Sequence, residues 1–125
     1  MKQIMLVGLG GFIGSIGRYM ISKWNTNECF IALPIGTLAV NILGSFIIGF
    51  LAGVPIKSEW MTADMRLLLM VGICGGFTTF SSFTNENMSL IQNGQYILAF
   101  AYTLMSIALG LAAVFIGHYL SNYFN

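Results

Sequence analysis

Four apolar segments, each long enough to cross a lipid bilayer as a helix, account for most of this chain. About 20 predominantly apolar residues span the hydrocarbon core, and such stretches run approximately over Gln3–Ile21, Pro34–Val54, Met65–Leu90 and Tyr96–Leu120. Charged residues make up only 7% of the chain, whereas a soluble domain carries about 25%. We therefore predict an all-α membrane protein, in which residues 1–125 form a single domain of four transmembrane helices.

Several classes of protein are excluded by the remaining polar residues. The net charge of +1 provides no basic surface for nucleic acid. Two cysteines, Cys29 and Cys74, and a single histidine, His118, make neither a recognisable metal cluster nor a plausible hydrolytic triad. We predict that the chain is not an enzyme and does not bind nucleic acid.

The basic residues are nearly balanced across the membrane. With four spans, both termini lie on one side, together with Lys2, Lys57 and Arg66, while the opposite side carries Lys23, with Arg18 near the boundary. Cytoplasmic loops are normally enriched in Lys and Arg, so this difference is a weak orientation signal. Either the orientation is fixed in a direction that charge counting does not identify, or the chain inserts both ways. Because four short helices enclose little space, we expect a homodimer, which in the second case contains two opposite copies.

A stripe of small and polar residues recurs every fourth position of the second span, at Thr37, Asn41, Ser45, Gly49 and Gly53. Small residues at this spacing let helix backbones approach closely in a membrane, and this packing interpretation is favoured for the last three. The amide of Asn41 has both donors and an acceptor near mid-membrane. For that residue a pore-lining role and an interface role remain equally open.

The first span carries the same spacing at Gly10, Gly14 and Arg18. The two glycines fit close packing. Arg18 lies near the end of the span, where its long side chain can extend to the headgroups. Alternatively, its fixed charge attracts anions into a vestibule.

In the fourth span, Tyr102, Ser106 and Gly110 are again four residues apart. The two hydroxyl groups on one helical face would form a short polar track. The alternative is that Ser106 hydrogen-bonds back to its own helix, as serine commonly does.

The third span is interrupted by residues 74–83, CGGFTTFSSF. Adjacent glycines and β-branched threonines are poor helix formers, and the two serines after them can cap the next helical piece. We predict a broken helix, which survives at membrane depth only if it is buried in protein or lines an aqueous cavity. Phe77, Phe80 and Phe83 lie three residues apart. They either pack ordinarily or turn their partially positive ring edges toward a small anion.

Deep within the spans the sequence has no Asp, Glu, Lys or His. Glu59 and Asp64 fall in a loop, and Glu86 and His118 lie toward the ends of their spans. Proton-coupled transporters require a titratable group inside the membrane. Its absence favours a passive pore.

Three motifs resemble the Fluc-type (CrcB-like) fluoride ion channel family. Residues 36–41, GTLAVN, match its Gly-Thr-Leu-x-Val-Asn signature, and residues 75–83, GGFTTFSSF, match Gly-Gly-x-Thr-Thr-Phe-Ser-Thr-Phe. Gly14 and Arg18 fit as well, and the resemblance covers the whole chain. Ser82 and Thr84 depart from the usual Thr and Ser, and Gly110 stands where some members have a third serine of the polar track.

The resemblance implies a channel that exports fluoride passively across the inner (plasma) membrane. It implies an antiparallel, dual-topology homodimer with two pores, embedded in the lipid bilayer. It also assigns roles to individual residues. The fluoride path would be formed by Thr37, Asn41, Phe80, Ser81, Ser82, Phe83, Tyr102 and Ser106.

The resemblance further implies that Arg18 and Glu86 are vestibular or structural. A sodium ion on the dimer axis would be held by the backbone carbonyls of Gly75 and Thr78 of both subunits. This ion would be structural and would lie at the break in the third span.

Two other kinds of membrane protein are weighed against the channel. A small dimeric multidrug transporter also has four spans and inserts in both orientations, but its proton-coupled exchange requires a carboxylate in the first span, which this sequence lacks. A structural subunit of a larger membrane complex is the third option. The interrupted third span argues against it, because such a segment is costly to place in lipid.

Overall fold

The computed structural model describes residues 1–23 and 33–125, and the regular elements in this part are helical. By length and apolar composition, four helical segments can cross a membrane, which confirms the predicted all-helical, four-span architecture. These segments are Lys2–Ser22, Ile35–Gly53, Ala63–Gln92 and Tyr96–Phe124. Cys29 and the polar connection at residues 24–28 lie outside the described residues.

The third segment is built from several pieces, so the elements number more than four. In chain order they are α1 (Lys2–Ser22), α2 (Ile35–Gly53), α3 (Ala63–Arg66), a π-helical segment (Leu67–Cys74), α4 (Gly75–Phe77), α5 (Phe80–Gln92) and α6 (Tyr96–Phe124). The connection from α5 to α6 turns at Gly94, whose φ of 74° is left-handed and suits a residue without Cβ.

Between α4 and α5 the backbone is extended for two residues. Thr78 has φ −80° and ψ 155°, and Thr79 has φ −149° and ψ 119°. The Thr79 hydroxyl caps α5 by accepting a hydrogen bond from the Ser82 amide at 3.2 Å. The sequence predicted that the two serines would cap this piece, which is wrong. The preceding threonine does so because the helix begins one residue before Ser81.

Glycines set the distance between α1 and the third segment. A Cβ added at Gly10 would lie 2.8 Å from the Cα of Gly72, and one at Gly14 would lie 2.8 Å from the amide nitrogen of Phe77. Backbone atoms cannot yield at such distances. The close packing expected of these two α1 glycines is therefore confirmed.

The helices α2 and α6 also pack through glycine, and they run in the same direction. A Cβ at Gly49 would lie 2.8 Å from the Cα of Val114, and one at Gly53 would lie 2.7 Å from the Cβ of Ser121. Residues later in α2 thus contact residues later in α6, as in parallel helices. The packing role predicted for these α2 glycines is confirmed.

Away from these contacts the surface is strongly apolar. The side chains of Phe12 on α1 and Phe115 on α6 are 66% and 72% exposed. Such residues are suited to lipid rather than water. One buried cluster, around Leu38, Leu90 and Tyr102, joins α2, α5 and α6 and supports the cleft described next.

Candidate functional site

A cleft of about 390 Å³ lies between α2, the third segment and α6. Six of the residues predicted for the site line it: Asn41, Gly75, Thr78, Phe80, Phe83 and Ser106. The remaining six do not line it: Arg18, Thr37, Ser81, Ser82, Glu86 and Tyr102. The extended residue Thr79 and Ser45 of α2 complete its polar wall.

Asn41 is hydrogen-bonded to the extended backbone across the cleft. Its Nδ2 donates to the Thr79 carbonyl at 3.0 Å, and the Thr79 amide donates to Oδ1 at 2.8 Å. These opposed partners fix the orientation of the amide. One N–H of Asn41 remains for another acceptor. The residue therefore serves the interface between helices, and it also lines the cleft.

The same pair of bonds deprives the Gly75 carbonyl of its usual helical hydrogen-bond donor. In a continuous α-helix the Thr79 amide would donate to the carbonyl four residues earlier, that of Gly75. Here it donates to Asn41 instead. Thr78 differs, because both its amide and its hydroxyl donate to the Cys74 carbonyl, at 3.0 and 2.9 Å.

Three aromatic rings form a continuous row that begins in the cleft with Phe80 and Phe83 and ends at the buried ring of Tyr102. The ring centroids of Phe80 and Phe83 are 5.8 Å apart, and those of Phe83 and Tyr102 are 5.1 Å apart, with tilted planes. Phe80 is 76% exposed. Phe77 does not line the cleft; its ring lies between α1 and α2, 3.4 Å from a Cβ built on Gly17 and 3.3 Å from one built on Gly44. The spacing of three residues thus did not place all three phenylalanines on one surface, because the backbone is extended between Phe77 and Phe80.

Glu86 is the centre of a polar cluster that the sequence did not reveal. Thr37 Oγ1 donates to its Oε1, and the Tyr102 hydroxyl donates to its Oε2 at 2.8 Å. Thr37 and Tyr102 are 2% and 0% exposed. Both hydroxyl groups were predicted to serve the ion, yet each gives its hydrogen to this carboxylate. The available signal was the three-residue step from Phe83 to Glu86, which puts them on one helical face.

The hydroxyl of Ser106 is buried and has no hydrogen-bond partner among the described residues. The interpretation that it bonds back to its own helix is therefore wrong. Buried polar groups are nearly always paired in proteins. Ser106 thus presents an O–H group to the cleft that it lines.

The other three predicted residues contact the backbone or the surface near the cleft. Arg18 Nε donates to the Gly76 carbonyl at 3.1 Å, which ties α1 to α4. Ser81 is exposed, with its Oγ 3.3 Å from Thr79 Oγ1. Ser82 contributes its backbone amide to the Thr79 cap. The Arg18 contact is of the kind expected of a residue that joins two helices.

No cluster of His, Cys, Asp or Glu side chains suited to a metal ion occurs within residues 1–23 and 33–125. Backbone carbonyls are among the oxygen atoms here that could face a hard cation. The Gly75 carbonyl is the clearest, since the Thr79 amide is directed elsewhere.

Comparison with known proteins identifies close relatives over nearly the full length. The model of a family described as CrcB-like protein, Camphor Resistance (CrcB), matches residues 5–118. A relative from Gloeothece citriformis is 48% identical over 120 residues, which cover 96% of this chain and 97% of the relative. A relative from Azobacteroides pseudotrichonymphae is 42% identical over 124 residues, which cover 99% of each chain. A third, from Rhizobium meliloti, is 42% identical over 117 residues, 94% of each chain. All three carry the name Fluoride-specific ion channel FluC.

Proposed function

The chain belongs to the CrcB-like family, and on this basis we propose that it is a fluoride-selective ion channel. It is a multi-pass protein of the cell membrane with four membrane-spanning segments. The observation that carries the proposal is the buried, unpartnered hydroxyl of Ser106 in a cleft that also holds the remaining N–H of Asn41. Fluoride is a compact anion that accepts strong hydrogen bonds, and both groups are donors.

The electrostatics of the cleft suit an anion that must enter and leave. Its lining has no carboxylate and no fixed positive charge. The rings of Phe80 and Phe83 add partially positive edges without a full countercharge. Conduction requires binding that is favourable enough for entry yet weak enough for release. Neutral donors and ring edges meet that requirement, and passive transport fits a lining that contains no carboxylate and no histidine.

The protein works as an antiparallel homodimer with two pores, one for each copy of the cleft. Phe80 is 76% exposed beside a cleft that carries extended backbone and polar side chains. Lipid cannot satisfy such groups, so protein has to cover them. A second copy of the chain is the economical cover. The near balance of Lys and Arg between the two sides supports insertion in both orientations.

A structural sodium ion at the dimer interface would be held by the backbone carbonyls of Gly75 and Thr78 of the two copies. The residues fit the ion, because Na⁺ is a hard cation that takes oxygen ligands. The Gly75 carbonyl is a suitable ligand, since the Thr79 amide donates to Asn41 instead of to it. When bound, sodium would neutralise facing carbonyl dipoles at the extended backbone. We expect the purified dimer to melt at a lower temperature when sodium is replaced by N-methylglucamine. Equal melting in both buffers would contradict this site.

The function is tested by efflux from liposomes that contain only this protein. Fluoride should leave down its gradient, while chloride and a lipophilic cation should not. A proton gradient without a fluoride gradient should drive no fluoride movement. Uphill fluoride transport driven by protons, or efflux of the lipophilic cation, would overturn the proposed function.

A further inference from the structure

The helices α2 and α6 present matched polar positions to the cleft. Because Gly49 lies against Val114 in parallel helices, each step of four residues on one helix is matched by the same step on the other. In this register Asn41 of α2 is level with Ser106 of α6. One turn further, Ser45 is level with Gly110. At the first level both helices provide a hydrogen-bond donor, Asn41 and Ser106. At the second level only α2 provides a side chain, because α6 has Gly110 there.

The side chain that faces Gly110 is that of Ser45. A Cβ added at Gly110 would lie 3.7 Å from Ser45 Oγ, an ordinary van der Waals contact, and would approach no other side chain or neighbouring helix of the described chain within 4 Å. Gly49 and Gly117 differ, because a Cβ at either would collide with backbone of the opposite helix. Close packing therefore does not require glycine at position 110. The hydroxyl that faces the cleft at this level comes from α2.

The Ser45 hydroxyl is free to act as a donor. It is half-buried, lines the cleft and forms no hydrogen bond within the described part of the chain. Other helical hydroxyls behave differently: Ser89 donates to the Asn85 carbonyl at 3.2 Å, and Thr103 donates to the Ala99 carbonyl at 2.9 Å. The sequence favoured a packing role for Ser45, like that of the small residues after it in the stripe. Its position in the cleft does not fit that interpretation.

We propose that Ser45 is a further fluoride-binding residue, whose hydroxyl receives the ion one helical turn beyond Asn41 and Ser106. This inference rests on the proposed function. The four residues between the two levels correspond to a helical rise of about 6 Å, a short step for an ion that passes between successive donors. The polar path thus crosses from α6 to α2 at the level of Gly110 and continues without a hydroxyl on α6.

The test measures fluoride efflux from liposomes for Ser45→Ala, with Ser89→Ala as the matched control. Both changes remove one helical hydroxyl, but Ser89 lies away from the cleft and bonds to its own helix. We expect Ser45→Ala to lower flux at least tenfold while the dimer elutes normally, and Ser89→Ala to conduct like the native protein. Adding Gly110→Ser to Ser45→Ala returns a hydroxyl to the same level from α6 and should recover a substantial part of the flux.

Flux through Ser45→Ala within twofold of the native rate would overturn the role of Ser45. An equal loss in the Ser89→Ala control would overturn it as well. If Ser45→Ala fails to assemble, Ser45→Cys replaces it, because the thiol is similar in size but a much weaker donor. The same tenfold loss is then expected, and native-like flux would count against the proposal. If the native protein itself conducts no fluoride, the proposed function is overturned. That result differs from one in which the native protein conducts and Ser45→Ala conducts equally well, which overturns only the role of Ser45.

Discussion

Asn41 and Thr79 are joined by two opposed hydrogen bonds, so that one side-chain amide on α2 satisfies both backbone polar groups of an extended residue in the third segment. This pairing resembles the contact that a neighbouring β-strand would make, but it is formed within a helical membrane protein. It holds the extended backbone in place and leaves one amide N–H of Asn41, a cleft-lining residue, for another acceptor.

The pairing makes Asn41 sensitive to the loss of its donors. In Asn41→Asp an ionised carboxylate oxygen would face the Thr79 carbonyl and repel both it and fluoride. Asn41→Ser keeps one smaller donor and leaves space for water. We expect fluoride flux at neutral pH to be lower for Asp than for Ser. Mild acidification should partly restore the Asp variant, because a protonated carboxyl regains one donor.

These fluxes are measured at two pH values beside dimer stability, after subtraction of the leak from protein-free vesicles at each pH. If Asn41 only joins helices, the two variants should conduct equally at both pH values and follow dimer stability. An interhelical hydrogen bond in a membrane contributes about 1 kcal/mol. That outcome would remove Asn41 from the ion path.

Phe80 and Phe83 should act through their ring edges. Replacement of either by Ile keeps apolar bulk but removes the partially positive rim, so we expect severe loss of flux from a dimer that still folds. Phe115→Ile is the matched control, because that ring is 72% exposed on α6 and lies outside the cleft. Normal conduction by Phe80→Ile and Phe83→Ile would assign both rings to packing alone.

The Glu86 cluster should contribute measurably to stability. Tyr102→Phe removes the 2.8 Å hydrogen bond to Glu86 and leaves the ring contact with Phe83 available. An intramolecular hydrogen bond contributes about 1 kcal/mol, and we expect a loss of at least that size in unfolding free energy. The check is a double-mutant cycle with Glu86→Gln. Additive losses would show that the hydroxyl and the carboxylate do not interact.

Glycine at position 49 should be required for folding. In Gly49→Ala the new Cβ would lie 2.8 Å from the Val114 Cα, so α2 and α6 must separate. We expect little folded dimer by size-exclusion chromatography. Gly110→Ala is the control, because its Cβ meets only the Ser45 hydroxyl at 3.7 Å. Comparable yields of the two variants would contradict the tight contact.

Both orientations should coexist in one preparation. A cysteine introduced by Asn125→Cys, with Cys29 and Cys74 replaced by serine, should be modified in about half of the molecules when intact cells are labelled from one side. The reason is the small difference in Lys and Arg between the sides. Labelling of nearly all or nearly none of the chains would indicate one fixed orientation.

The membrane-spanning helices were predictable because length and apolarity suffice to identify them. The glycine contacts of α1 and α2 were predictable from spacing alone. Which residue caps α5 was not predictable, because a shift of two residues in the start of the helix transfers that role from Ser81 to Thr79. Nor does a continuous apolar run signal the π-helical segment Leu67–Cys74.

Within the site, the sequence identified six of the thirteen cleft residues but not their hydrogen-bond partners. The sequence allows Asn41 either to join helices or to line a pore. Only the position of Thr79 shows which amide atoms join the helices and which N–H remains available. Thr37 and Tyr102 have the right chemistry for an anion. Their hydroxyls nevertheless go to Glu86, which the sequence placed merely toward the end of a span. Such pairings join residues far apart in the chain, and spacing along one helix does not encode them.

The parallel contact between α2 and α6 also governs when the cleft can exist during synthesis. The helix α2 leaves the ribosome early, but Gly49 and Gly53 can make their packing contacts only after α6 is synthesised. That helix is the last of the described helices to be made. Until α6 docks, the polar stripe of α2 enters the bilayer without its neighbour. The ion path is therefore assembled at the end of biogenesis, and a nascent chain that lacks α6 cannot conduct.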